Sequence, residues 1–118
     1  MPTFEQGDVI RVPFPYTDKA ARQRRPALVV SDGQVGDNGE LLWVAMITSA
    51  ENRPSTDDVA IHDLGQAGLP ASSVVRPCKI ATIEARHAER LGKLPDAAIA
   101  EIAATIVRYI GRRDSAAH

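Results

Sequence analysis

A chain of 118 residues with 44% apolar side chains has the size and make-up of one domain, residues 1–118, around one core. Its formal net charge of −1 excludes the coating of long duplex nucleic acid by bulk positive charge, though not a local basic groove. One cysteine excludes an intrachain disulfide, and no apolar run approaches the roughly 20 residues that cross a bilayer.

In chain order, residues 8–14 read as a first strand. Ile10, Val12 and Phe14 alternate with Val9, Arg11 and Pro13, and the prolines at 13 and 15 end the strand or place it at an edge. Residues 16–25 form a polar loop with Lys19, Arg22, Arg24 and Arg25 against one acid, Asp18. The apolar run at 27–30 predicts a buried strand, and the glycines within 32–39 a turn region. Residues 41–47, the most apolar segment, predict a central strand that ends at Thr48 and Ser49. Val59 and Ile61 mark a half-exposed strand, and 65–70 a loop. Residues 73–76 and 79–83 predict two short strands divided by Pro77. Ile99, Ile102, Ile106 and Ile110 then recur at helical spacing between Pro95 and Gly111, with Asp96 and Arg108 placed to suit the helix dipole. This helix should lie on the sheet or on a partner subunit, with residues 112–118 as a frayed tail. The first eight residues hold no apolar core behind basic residues, so the expected compartment is the cytoplasm, with no membrane partner. Many short strands followed by one helix suggest a small curled sheet or barrel closed by that helix.

Four stretches resemble the MazF/PemK family of toxin–antitoxin ribonucleases. They are Gly7-Asp8-Val9-Ile10; Arg24-Arg25-Pro26-Ala27-Leu28-Val29-Val30; Ile47-Thr48-Ser49; and the block from Gly68-Leu69-Pro70 through Ser73-Val74-Val75 and Lys79-Ile80-Ala81-Thr82-Ile83 to Arg90-Leu91-Gly92-Lys93-Leu94. Each motif is weak alone; their order and spacing over residues 6–111 make the match specific. The resemblance implies a mainly β (α+β) fold, an SH3-like β-barrel of six to seven short strands closed by a C-terminal helix, in a homodimer. It implies cleavage of single-stranded RNA by attack of a ribose 2′-oxygen on the adjacent phosphate, without cofactor. It also implies a cognate antitoxin, whose acidic segment would block the phosphate sites of a basic groove.

Cleavage of this kind requires a base for the 2′-hydroxyl, positive charge on the phosphorane and an acid for the 5′-oxygen. The carboxylates show no metal-binding spacing and His62, His87 and His118 are scattered, so no metal is expected. By resemblance Arg25 is the active-site arginine. Its planar fork suits two phosphate oxygens, and because guanidinium keeps its proton, its role is charge stabilisation. Thr48 matches the family's threonine, with a hydroxyl that both donates and accepts; Ser49 stands behind it. The bland alternatives are a solvated loop arginine and a β-branched strand-end residue. Arg22 and Arg24 would steer RNA. Lys79 stands where some relatives carry a base-reading glutamine, and would bind phosphate as a point charge, joined by Arg76 if their strands form one wall. Tyr16 is the candidate for base stacking, whereas Trp43, inside an apolar strand, is expected in the core and Cys78 as a packed thiol. Two other readings stay open: a non-enzymatic CcdB-like toxin that binds gyrase through its last helix, and an inactive SH3-like binding module.

Overall fold

The structure is a computed structural model that describes residues 3–13, 24–52 and 54–111. Among these, six strands and two α-helices follow one another: β1 (Asp8–Pro13), β2 (Arg24–Val29), β3 (Leu41–Ser49), β4 (Val59–Ala60), α1 (Leu64–Ala67), β5 (Ser73–Glu84), β6 (Glu89–Lys93) and α2 (Asp96–Ile110). The strands form one antiparallel sheet in the order β4-β5-β3-β2-β1-β6. The mainly β architecture with a closing helix is therefore the one expected. Phe14 and the tail over 112–118 lie outside the described residues.

The sheet buries both faces, which is why its central strands read as near-continuous apolar runs. Ile10, Val12, Ala27, Val29, Leu42, Val44 and Ile83 gather on the inner side of the curl with Phe4. Their neighbours Val9, Leu28, Ala45, Ile47 and Val75 point the other way, onto Ile102 of α2, with Ile99 and Ile106 packed alongside. Thus β3 supplies Leu42 and Val44 to one core and Ala45 and Ile47 to the other, as strand alternation requires.

Two glycine contacts seat α1 against the edge strand β6. A Cβ on Gly92 of β6 would lie 2.3 Å from the Gln66 carbonyl oxygen, and one on Gly68, whose φ is +73°, 2.0 Å from the Leu91 carbonyl oxygen. Only hydrogen at both positions lets these backbones meet.

Several expectations need correction. The loop at 65–70 begins as the single helical turn α1, capped by the Asp63 carboxylate, which accepts from the Gln66 amide at 2.9 Å. The two strands predicted on either side of Pro77 are one strand. Its ladder steps from Met46↔Arg76 to Ala45↔Ile80, so Pro77, Cys78 and Lys79 bulge out where proline's missing N–H costs no ladder bond. Trp43 is 52% exposed rather than in the core, and Cys78 is exposed too, because both flank the part of the outer sheet face that α2 does not cover. Ile110, the last residue of the apolar stripe, is 69% exposed, so within one chain the sheet covers only part of that stripe. β6 went unpredicted: Leu91 is the only large apolar residue in Glu89-Arg90-Leu91-Gly92-Lys93, so alternation leaves little trace.

Candidate active site

β1, β2 and β3 set the geometry of the site through their register. Val12 pairs with Arg25, and Ala27 with Met46. Continuing the β2–β3 register by two residues brings Arg25 abreast of Thr48. Both then extend the row of inward-facing side chains formed by Ala27, Val29 and Val44. Arg25 is half-buried with its Nε buried. Thr48 is 6% exposed, and its Oγ1 accepts a 2.5 Å hydrogen bond from Asn52 Nδ2. A guanidinium and a hydroxyl thus come to one end of one sheet face, an arrangement suited to binding and polarising an anion.

Arg76 joins this face because it pairs with Met46, one step from Thr48. Its guanidinium is engaged by Asp58: Nε donates to Oδ1 at 3.0 Å and Nη2 to Oδ2 at 2.8 Å. That fork holds the Asp58 carboxyl below the usual carboxylate range and raises Arg76 further. The β4–β5 register, with Val59 opposite Val75, sets Asp58 across from Arg76. Lys79 is exposed in the bulge, three residues beyond Arg76 and off the ladder that Arg76 joins. Ser49 is exposed, and alternation turns it away from Thr48; its Oγ accepts from the Glu51 amide at 3.2 Å and shapes the turn after β3. Arg24 likewise points away from Arg25, with Nη2 donating to the carbonyls of Arg11 at 3.2 Å and His87 at 2.7 Å. Tyr16 and Arg22 lie outside the described residues.

The sequence profile of the PemK-like, MazF-like toxins of type II toxin–antitoxin systems matches residues 5–110. The chain belongs to this family. No curated protein sequence matches it. Solved structures share its fold at low identity. A MazF from Deinococcus radiodurans superposes with a TM-score of 0.74 at 23% identity, over 95% of this chain and 100% of its own. A MazE–MazF crystal structure from the same organism gives 0.72 at 22% identity, over 96% and 100%. An endoribonuclease in complex with its cognate antitoxin, from a mycobacterial species, gives 0.68 at 18% identity, over 94% and 98%. The CcdB-like and inactive-module readings find no support in these comparisons.

The motifs that carry the likeness to the MazF/PemK toxins divide into two kinds. Gly7-Asp8, Gly68 and Gly92 build the fold. A Cβ on Gly7, whose φ is +96°, would meet Ile99 Cδ1 of α2 at 2.1 Å. Buried Asp8 accepts from the Glu5 amide and from Arg90 Nη2, both at 2.8 Å. Arg25 and Thr48 lie instead at the ends of β2 and β3.

Two residues near the site escaped the sequence reading. Asp58 reaches Arg76 through a strand pairing that no local signal announces. Asn52 follows Ile47-Thr48-Ser49 in the turn, where its residue type alone suggests only a loop. Among the described residues, no three His, Cys, Asp or Glu side chains gather where they could hold a metal ion.

On the outer face, an apolar groove of about 820 Å³ runs between the sheet and α2, lined by Trp43, Cys78, Ile80, Ile106, Val107 and Ile110 among others. Val107 is 65% exposed. Beside it, Asp57 accepts from Arg108 Nη2 at 3.0 Å and from the Tyr109 hydroxyl, which ties the last turn of α2 to the segment before β4. No helix among the described residues is long and apolar enough to cross a membrane.

Proposed function

We propose that this toxin is a metal-independent endoribonuclease that cuts single-stranded mRNA in the cytoplasm. The 2′-oxygen of one ribose forms a bond to the adjacent phosphorus, and the bond from phosphorus to the 5′-oxygen breaks. The 2′-hydroxyl loses a proton and the 5′-oxygen gains one, leaving a 2′,3′-cyclic phosphate and a free 5′-hydroxyl. Arg25 donates to the non-bridging oxygens as charge builds on them, and Thr48 contributes a hydrogen bond to the same group. The single observation that supports this reading is the β2–β3 register from Val29↔Val44 to Ala27↔Met46, whose continuation sets Arg25 abreast of Thr48 on one sheet face.

Arg22 and Arg24 steer the strand, Tyr16 stacks on a base, and Lys79 and Ser49 contact the backbone. Arg76 acts with Asp58 rather than as a free phosphate-binding cation. The toxin works as a homodimer, with the groove bounded by Trp43, Val107 and Ile110 covered by a second copy, because an apolar opening of this size on a small domain marks an interaction surface. A cognate antitoxin silences it by laying an acidic segment over Arg25. The test is cleavage of an unstructured RNA in the presence of chelator, with the product ends identified. Cyclic phosphate termini that form unchanged in chelator support the mechanism; loss of cleavage in chelator refutes it.

A further inference from the structure

We propose that Asn52 is a positioning residue for Thr48, fixing its hydroxyl as a hydrogen-bond donor to the reacting phosphate; this rests on the ribonuclease reading above. A threonine hydroxyl has one hydrogen to give and two lone pairs to accept with, whereas an amide nitrogen only donates. The contact from Asn52 Nδ2 to Thr48 Oγ1 therefore fills a lone pair and leaves the hydroxyl hydrogen directed away from Asn52. Accepting that bond also polarises the O–H group and strengthens it as a donor. The stiff χ1 of a β-branched side chain removes much of the remaining freedom.

Asn52 is itself held in place. Its backbone N–H donates to the Ser49 carbonyl at 3.0 Å, and the Ala50 N–H donates to the Ser72 carbonyl at 3.0 Å, fastening the turn to the start of β5. The Glu51 amide adds its bond to Ser49 Oγ. Further along the chain, Asp58 closes on Arg76. An amide delivered to the oxygen of Thr48 by so constrained a turn is pre-organised, as oriented donors at reaction centres are. Thr48 then serves the reaction as a donor and not as the base for the 2′-hydroxyl.

The test is single-turnover cleavage of an unstructured RNA by wild type, Asn52→Ala, Asn52→Asp, Thr48→Val and the Asn52→Ala/Thr48→Val pair, with KM measured for each. Asn52→Ala should lower kcat roughly ten-fold, the scale of one hydrogen bond, with KM unchanged. Asn52→Asp keeps the shape but offers only acceptors, which capture the Thr48 hydrogen; its kcat should fall further, to the level of Thr48→Val. In the Thr48→Val background, Asn52→Ala should cost nothing more. Wild-type or faster cleavage by Asn52→Ala and Asn52→Asp, while Thr48→Val is slow, would overturn this role and leave the ribonuclease reading standing. A loss confined to KM, or repeated in full in the Thr48→Val background, would also overturn it. If wild type cuts no RNA, the ribonuclease reading fails and this inference fails with it; if Thr48→Val cuts as wild type does, this inference falls while the ribonuclease reading stands.

Discussion

Side chains with two polar neighbours decide most of the chemistry at the residue scale. Tyr109 shows how far one neighbour reaches: its hydrogen bond to the Asp57 carboxylate raises the phenol to about 12, and the same bond lowers Asp57. The signs of the stability effects are opposite. The Tyr109 contribution is complete below the ordinary tyrosine value near 10 and fades as pH rises through about 12. The Asp57 contribution is complete above the ordinary carboxylate value of 3.8 and fades as pH falls through its lowered value. In Tyr16→Phe protein, ultraviolet titration of the remaining phenol should show an ionisation near 12, and Asp57→Asn should return it toward 10. An ionisation near 10 before that substitution would contradict the contact. Arg25 and Thr48 stand out in the sequence only through the resemblance to the MazF/PemK family; hydropathy marks the strands beside them and not the residues themselves. The positions of Trp43 and Cys78 were not, because apolarity tells that a side chain needs cover but not whether this chain supplies it. Asp57, Asp58 and Asn52 were hidden for another reason: their partners lie across a strand pairing or one turn away, and residue type carries no sign of that.

Elements follow from the same logic with backbone added. β1 to β3 and α2 were predictable from period and punctuation, since Pro95 and Gly111 do flank the final helix, Gly111 with a φ of +70°. β5 was read as two pieces because proline breaks a ladder, and a bulge that removes Pro77 from the ladder is the structural answer to that conflict. α1 is too short for a hydrophobic period to register, and β6 too polar. Both are secured by glycines, whose role becomes visible only when another backbone is brought close. Gly92→Ala should therefore destabilise the fold by about 1–3 kcal/mol, because its Cβ would enter the backbone of α1 at Gln66 and Ala67. Urea unfolding followed by circular dichroism checks this; an unchanged midpoint would mean that α1 does not rest on β6.

The whole molecule presents two faces of different character. The inner curl ends in Arg25 and Thr48, and the outer face offers an apolar groove beside α2. Residues 50–52 and 54–58 make contacts toward both. They touch Thr48 through Asn52, Arg76 through Asp58, and the end of α2 through Asp57. A second copy seated in the groove would press on Val107, so Val107→Asp should convert dimer to monomer in sedimentation velocity without unfolding the chain. A wild-type protein that sediments as a monomer would remove the dimer from the account. The central claim is that a guanidinium and a hydroxyl act on one phosphate. Its most direct measurement is single-turnover RNA cleavage by Arg25→Ala, Thr48→Val and the double variant. The expected result is a loss of roughly 10²–10³ for Arg25→Ala, a substantial loss for Thr48→Val, and a double variant no slower than the product of the two. Full cleavage by Arg25→Ala would contradict it.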